Sequence, residues 1–384
     1  MIPYGRQDIN QADIDAVVAV LRSDFLTQGP MVPRFEQAVA NRCGAQHAVA
    51  VNSATSALHI ACLTLGLGPG DRLWTVPNTF VASANCALYC GAGVDFVDID
   101  PHTYNMSVEK LQAKLSHAEK EGGLPKIVVA VHFGGQPCDM AAIGALARRF
   151  GFAVIEDASH AIGASEGSSA VGSCAHSDIT IFSFHPVKII TTGEGGMLLT
   201  NRADVDAKAR LLRSHGVTRD PSLMDQPLHG PWYYQQTMLG YNFRITDIQA
   251  ALGLSQLDRL DEFINRRRAL ALSYDLLFDG LPLVRPYQRP DAMSAWHLYV
   301  IRVPGESGKV RNEVFAKLCE DGILCNVHYI PVHTQPYYRK MGFKPGDFPE
   351  AERYYNEAIS LPMFFGLSET EQEYVADHLR SALT

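Results

Sequence analysis

The sequence IFSFHPVKIITTGEGG, residues 181–196, runs directly into the strand-like MLLT at residues 197–200. An apolar, aromatic run leads to a single lysine, Lys188, and a glycine-rich turn follows it. An amine in a desolvated site has a lowered pKa, so part of it is a neutral nucleophile near neutral pH. Because most lysines are solvated, Lys188 taken alone would be an ordinary surface residue at a strand end. Whether Lys188 is a catalytic residue therefore depends on which other residues of the chain would surround it.

Strand-like and helix-like segments alternate around this stretch. Strands that are apolar on both faces and alternate with helices predict an α/β fold with a mostly parallel central sheet covered by helices. The predicted strands cover residues 47–51, 72–76, 94–99, 126–131 and 152–155, and the predicted helices between them cover residues 56–65, 81–88 and 141–149.

The C-terminal third of the chain predicts a smaller α+β domain, with a strand at 295–303 and a closing helix at 369–383. A long helical pattern starts near Ile248, and we expect it to end at the arginine triplet 266–268, as a solvated face. The predicted division is a large domain at residues 1–250 and a small C-terminal domain, with its linking helix, at residues 251–384.

Composition excludes several classes of protein. The 384 residues exceed the size of a single core, and 47% of them are hydrophobic, which indicates a globular protein of two domains. A net charge of −8 argues against a nucleic-acid or membrane-surface protein. The eight cysteines lack metal-site spacing, and no segment has the pattern of a signal peptide or a membrane span. We therefore expect a cytoplasmic protein that binds no metal.

Several chemically useful residues follow directly after predicted strands. Ligands bind at the carboxyl ends of strands in parallel sheets. Asp157 and Phe80 each follow a strand, and Ser53-Ala54-Thr55 joins a strand to a helix start, where free N–H groups attract anions. Each has a structural alternative: Phe80 could be core, Asp157 and the hydroxyl residues could be helix caps, and His160 could be a structural histidine.

Together these residues match the needs of pyridoxal 5′-phosphate (PLP), which are a lysine amine, an acid for the ring nitrogen and a phosphate cradle. With Ser183 and Asn242 added, the chain resembles the DegT/DnrJ/StrS family of sugar aminotransferases, which are fold-type I PLP-dependent transferases. The resemblance runs from LTQGP at residues 26–30 to SLP at residues 360–362. It covers nearly the whole chain.

The resemblance implies a role for each matching position. Lys188 would bind the cofactor covalently and shuttle a proton, and Asp157 would keep the ring nitrogen protonated. Phe80 would stack on the cofactor ring. His160 stands at the position where many relatives carry a glutamine beside that ring. The implied phosphate contacts are Ser53, Ala54, Thr55, Ser183 and, from the partner subunit of a homodimer with shared active sites, Asn242. The implied substrate contacts are Tyr4, Phe25, Leu26, Thr27, Gln28, Ser53, Ser183, Asn242, Val327, His328, Tyr329 and Ile330.

The resemblance also implies the reaction, a transfer of an amino group from L-glutamate to a ketosugar. The phrases NSATSAL (residues 52–58), FSFH (182–185) and VHY (327–329) point to the branch that aminates C4 of a UDP-linked 4-keto-6-deoxy-N-acetylhexosamine in pseudaminic acid biosynthesis. The alternatives are another nucleotide 4-keto or 3-keto sugar and a non-catalytic regulatory member. Lys188 argues against the dehydratase branch, in which histidine replaces the lysine.

Overall fold

The computed structural model describes residues 1–305 and 308–383. The strands are β1 (Ile2–Pro3), β2 (His47–Val51), β3 (Arg72–Thr75), β4 (Gly93–Phe96), β5 (Ile127–Val131), β6 (Ala153–Asp157), β7 (Ser165–Glu166), β8 (Ser169–Ala170), β9 (Ile179–Ser183), β10 (Gly196–Thr200), β11 (Val217–Thr218), β12 (Gln235–Gln236), β13 (Ala292–Met293), β14 (Tyr299–Arg302), β15 (Ile323–Leu324) and β16 (Ala358–Leu361). The helices are α1 (Gln11–Leu21), α2 (Met31–Cys43), α3 (Ala54–Thr64), α4 (Ala82–Tyr89), α5 (Val108–Glu121), α6 (Met140–Phe150), α7 (Ala203–Arg213), α8 (Asp247–Asp258), α9 (Leu260–Leu277), α10 (Lys309–Glu320), α11 (Pro336–Arg339), α12 (Pro349–Glu357) and α13 (Glu369–Leu383).

A seven-stranded sheet in the order β2-β10-β9-β6-β5-β3-β4 forms the centre of the molecule. Strand β10 runs antiparallel to both of its neighbours, and the remaining neighbouring pairs are parallel. Every residue of β5, β9 and β10 is buried, which explains why these segments are almost uniformly apolar. The predicted α/β fold with a mostly parallel sheet is confirmed.

Helix α3 begins immediately after the edge strand β2. Ser53 caps it, accepting a hydrogen bond from the Ser56 N–H, so the helix starts two residues before the predicted position. Gly196 of β10 packs against this start: a Cβ there would lie 2.5 Å from the carbonyl carbon of Ser53 and 2.6 Å from the nitrogen of Ala54. The sheet and the helix start are therefore in close contact.

The predicted linking helix is two helices, α8 and α9, and it does not end at the arginine triplet. Helix α9 continues to Leu277, and Arg267 is buried with only 2% of its surface exposed. Its guanidinium donates to the carbonyl oxygens of Trp296, His297 and Met363, and burial lowers the pKa of Arg267 to about 10. The expectation of a solvated triplet was wrong for Arg267, which ties α9 to two distant segments.

A smaller group of elements packs around α9. Strands β14 and β16 pair antiparallel, and β1 pairs with β15 in parallel. Their core contains the stacked rings of Tyr274 and Phe278, and Ile2 belongs to the same apolar cluster. The N-terminal strand thus lies among C-terminal elements. The domain boundary at residue 250 stays a prediction.

Two further features concern membranes and metals. No helix in residues 1–305 and 308–383 is long and apolar enough to cross a bilayer. Within the same residues, no group of three or more His, Cys, Asp and Glu side chains is arranged to hold a metal ion.

Candidate active site

A cavity of about 480 Å³ opens at the carboxyl ends of the parallel strands. It brings together most of the side chains that the sequence singled out, from both ends and the middle of the chain. The predicted residues that line it are Tyr4, Ser53, Ala54, Thr55, Phe80, Asp157, His160, Ser183, Lys188, Val327, His328 and Tyr329.

Lys188 lies in the loop between β9 and β10, where its backbone N–H donates to the His185 carbonyl oxygen at 2.9 Å. Its side chain lines the cavity and is half-buried. Burial lowers the pKa of Lys188 to about 8, although the Asp157 carboxylate opposes this shift. About a tenth of the amine is therefore neutral at pH 7, and only this neutral form is a nucleophile.

Asp157 ends β6 and is buried. The hydroxyl groups of Ser83 and Ser159 donate to its two carboxylate oxygens, each at 2.6 Å, and the Ser159 N–H donates at 3.1 Å. Three donors on one carboxyl group suit its ionised form, which only accepts hydrogen bonds. Asp157 is not a helix cap, because β6 is followed by turns and strands and the next helix, α7, begins at Ala203; Asp157 lines the cavity instead.

The hydroxyl-rich segment at the start of α3 forms one wall of the cavity. Ser53, Ala54 and Thr55 line it at the positive end of an 11-residue helix, and Ser183 lines it from the end of β9. This arrangement suits a phosphate group. With Lys188 and Asp157 in the same cavity, the residues present fit PLP.

Phe80 is not a core residue. Its side chain is 59% exposed, and its ring centroid lies 6.3 Å from that of Tyr329 at the cavity wall. An aromatic face held open beside a cavity is available for stacking on a planar ligand.

His160 is buried against Tyr329. The Gly134 N–H donates to its Nδ1 at 3.3 Å, so the neutral ring carries its proton on Nε2, which lies 3.1 Å from the Tyr329 hydroxyl oxygen. Burial, followed by the nearby charge of Lys188, holds the pKa of His160 well below its usual range. His160 is thus a neutral donor that orients Tyr329.

Other lining residues were missed by the sequence interpretation. Ser159 lies two residues after Asp157, a spacing typical of local side-chain turns, and this signal could have found it. Ser83 is 74 residues away from Asp157 in sequence, and His297 packs on His160 with ring centroids 4.4 Å apart; neither has a local signal. The remaining unpredicted lining residues are Leu58, Thr79, Ala82, Val131, His185, Val187, Glu194 and Asn326.

Six predicted residues do not line the cavity in the single chain. Phe25, Leu26, Thr27 and Gln28 form an exposed loop beside the start of α8, where the Asp247 N–H donates to the Leu26 carbonyl oxygen at 3.0 Å. The other two, Asn242 and Ile330, are exposed elsewhere on the surface. Their roles as ligand contacts stay predictions.

Comparison with known proteins agrees with this geometry. Residues 7–380 match the model of the DegT/DnrJ/EryC1/StrS aminotransferase family. The chain is 41% identical over 383 residues to the spore coat polysaccharide biosynthesis protein SpsC of Bacillus subtilis, covering 99% of this chain and 96% of SpsC. It is 36% identical over 388 residues to a UDP-4-amino-4,6-dideoxy-N-acetyl-beta-L-altrosamine transaminase of Campylobacter jejuni, covering 100% of this chain and 98% of that one.

Solved structures give the same result. Spr1654 of Streptococcus pneumoniae, named a putative sugar aminotransferase, superposes in its PMP form on 100% of this chain and 99% of its own, with a TM-score of 0.90 at 30% identity. The same protein has been solved in a PLP form, with a TM-score of 0.89. The chain therefore belongs to the DegT/DnrJ/EryC1/StrS aminotransferase family, and it is a PLP-dependent sugar aminotransferase, as the sequence predicted.

Proposed function

We propose that the chain transfers an amino group from L-glutamate to C4 of UDP-2-acetamido-2,6-dideoxy-β-L-arabino-hex-4-ulose, in pseudaminic acid biosynthesis. The observation that carries the chemistry is one cavity containing the Lys188 amine, with its lowered pKa, and the hydrogen-bonded Asp157 carboxylate. The Campylobacter jejuni transaminase, at 36% identity over the full chain, supports the choice of sugar.

The lining residues divide between the parts of the cofactor. Lys188 would hold PLP covalently, Asp157 would face the ring nitrogen, and Phe80 would cover a ring face. The α3 start, with Ser183, would hold the phosphate. When bound, PLP supplies an electron sink that makes the proton on the donor's α-carbon acidic.

Lys188 would also act as the acid and base. An amine whose pKa is about 8 both accepts and releases a proton readily near neutral pH. Its Nζ can therefore take a proton from a bound substrate and return it to a neighbouring atom.

The side of the cavity formed by residues 326–329 offers neutral hydrogen-bonding groups. Burial, together with the charge of Lys188, lowers the pKa of His328 to about 3, and burial raises the pKa of Tyr329. A neutral imidazole, a phenol and the Asn326 amide suit sugar hydroxyl and acetamido groups, which carry no charge. We assign this wall to the hexose.

The charged groups of the substrates need further cations. Among the residues that the structure describes, Lys188 is the only lysine or arginine that lines the cavity. A UDP-sugar carries a pyrophosphate, and glutamate carries two carboxylates. We infer that a second copy of the chain completes the site, with Asn242 reaching across and the exposed loop Phe25–Gln28 nearby.

Sequence identity also favours a second candidate substrate. The chain is more similar to SpsC, whose name places it in spore coat polysaccharide biosynthesis, than to the Campylobacter transaminase. Another nucleotide-linked 4-keto or 3-keto sugar is therefore the alternative.

Product analysis separates the candidates. The protein is incubated with glutamate, PLP and a panel of UDP- and dTDP-linked ketosugars, and NMR locates the new amino group. We expect preferential amination at C4 of the UDP-linked N-acetylhexosamine and formation of 2-oxoglutarate. A preference for a dTDP sugar, or a product aminated at C3, would favour the alternative. Absence of turnover with the UDP-linked N-acetylhexosamine would contradict the proposed substrate.

A further inference from the structure

A chain of buried hydroxyl groups leads to Asp157 from the segment that follows β3, a strand separated from β6 by β5. Ser83, in the first turn of α4, is 1% exposed, and its Oγ lies 2.6 Å from Asp157 Oδ2. Thr79, in the segment between β3 and α4, is 2% exposed, and its Oγ1 lies 2.8 Å from Ser83 Oγ. Three side chains, from the segment between β3 and α4, from α4 and from the end of β6, are thus connected in series.

The chemistry of the carboxylate fixes the direction of these hydrogen bonds. An ionised carboxylate only accepts, so Ser83 gives its single hydroxyl proton to Asp157. The Ser83 oxygen must then accept from Thr79, whose hydroxyl is the donor. Each bond polarises the next in the same direction, which strengthens the bond that reaches the charge.

The two carboxylate oxygens accept hydrogen bonds from two different segments. Ser159, just after β6, holds Oδ1, whereas Ser83 holds Oδ2 from α4. A carboxyl group bound at one oxygen can still rotate about its Cβ–Cγ bond, but binding at both oxygens from separate elements fixes its plane. The plane of Asp157 is therefore set before any ligand enters.

We propose that Ser83, oriented by Thr79, is a positioning residue that aims the Asp157 carboxylate at the ring nitrogen of PLP. The inference rests on the proposed placement of that nitrogen against Asp157. Ser83 would act only through the bond between the carboxylate and the protonated nitrogen, so its effect should vanish for a ligand that lacks the nitrogen.

Ligand binding to the apoprotein tests this with PLP and with its analogue in which CH replaces the ring nitrogen. Dissociation constants are measured by quenching of protein fluorescence. We expect Ser83→Ala to weaken PLP binding about tenfold, because a carboxylate that is free to rotate makes a poorer charged hydrogen bond to the ring nitrogen, and to leave binding of the analogue unchanged. Thr79→Val should act in the same direction with a smaller effect, and Thr79→Ser should behave as wild type.

The matched control is Thr75→Val. Thr75 is equally buried, but its hydroxyl donates to the backbone carbonyl of Val129 and not toward Asp157. Its removal should leave the affinities for both ligands unchanged. In the holoenzyme, Ser83→Ala should lower kcat while the KM for the sugar nucleotide stays the same.

Two outcomes would overturn the inference. If Ser83→Ala weakened the binding of PLP and of the analogue equally, Ser83 would have a general structural role. If it left the affinity for PLP unchanged, Ser83 would have no role in cofactor binding. The Asp157→Asn variant distinguishes these outcomes from an error in the proposed placement of the cofactor ring. If Asp157→Asn binds PLP no better than the analogue, while Ser83→Ala still binds PLP better than the analogue, only the role of Ser83 is misassigned. If Asp157→Asn itself keeps that preference, the proposed placement of the ring is wrong.

Discussion

At the scale of the residue, the active-site chemistry depends on where two parallel strands end. Lys188 follows β9 and Asp157 ends β6, and these strands are neighbours in the sheet. Their side chains therefore share a cavity, although 31 positions separate them in sequence. The sequence could predict this pair because strand ends in a parallel sheet point to one edge. The sequence could not predict that Ser83 and His297 also line this cavity, because hydrogen bonds and ring contacts between distant segments leave no local sequence pattern.

Replacement of Lys188 tests its role most directly. Lys188→Ala should abolish the absorbance of covalently bound PLP and lower transamination by about 10²–10⁴-fold or more, because both the covalent attachment and the proton shuttle are lost. Absorbance spectra and turnover measure these effects. Lys309→Ala is the control, since that side chain is 81% exposed. A fully active Lys188→Ala variant would contradict the assignment.

The lowered pKa of Lys188 predicts how cofactor uptake depends on pH. Only the neutral amine attacks PLP, so the rate of uptake by the apoprotein should rise about tenfold per pH unit below the pKa of about 8 and level off above it. Stopped-flow absorbance from roughly pH 6 to pH 10 measures this rate. A rate that keeps rising toward the usual lysine value of 10.5 would show that the amine is solvated.

At the scale of the element, packing between β10 and α3 shapes the proposed phosphate site. Strand β2 has the predicted bounds, 47–51, because its apolar run ends abruptly at a polar turn. The sequence predicted neither the break between α8 and α9 nor the burial of Arg267. The burial could not be predicted because helical periodicity does not show which side of a polar segment is covered by other elements. The contact at Gly196 likewise depends on tertiary structure.

Gly196→Ala tests that contact. The added methyl group would collide with the backbone of Ser53 and Ala54, so either β10 or the start of α3 must move. We expect a loss of about 1–3 kcal/mol in the free energy of unfolding, typical of overpacking, together with weaker PLP binding. Urea unfolding and fluorescence titration of the apoprotein measure both effects.

The control for this variant is Gly68→Ala, because a Cβ at Gly68 meets no atom within 4 Å. It should leave PLP affinity unchanged. A Gly196→Ala protein with wild-type stability and wild-type PLP affinity would show that the start of α3 has room to adjust.

At the scale of the whole molecule, the fold class followed from the alternation of apolar strands and helices, but the composition of the cavity did not. Tyr4 and residues 326–329 line it from opposite ends of the chain. Local patterns cannot show that such distant segments meet; only the resemblance to a family indicated it. Exposed apolar side chains, such as Trp232 at 73% and Leu239 at 77%, support the proposed dimer, because large exposed hydrophobic groups often mark interfaces.

Mixing two inactive variants tests the shared site. If each site uses Lys188 of one subunit and Asn242 of the other, a heterodimer of Lys188→Ala and Asn242→Ala subunits has one site with both native residues. After unfolding and refolding together, the mixture should recover about a quarter of wild-type activity, because half of the dimers are mixed and half of their sites are intact. Each variant refolded alone is the control. No recovery would count against sites shared between subunits.

The pairing of β1 with β15 also sets an order of events during protein synthesis. Ile2 leaves the ribosome long before its partner Ile323, by roughly 15 to 60 s at 5–20 residues per second. Until then Tyr4, which follows β1, has no framework to hold it at the cavity wall. The nascent chain can assemble its central sheet early, but the wall that contains Tyr4 and residues 326–329 closes only after residue 329 has been synthesised.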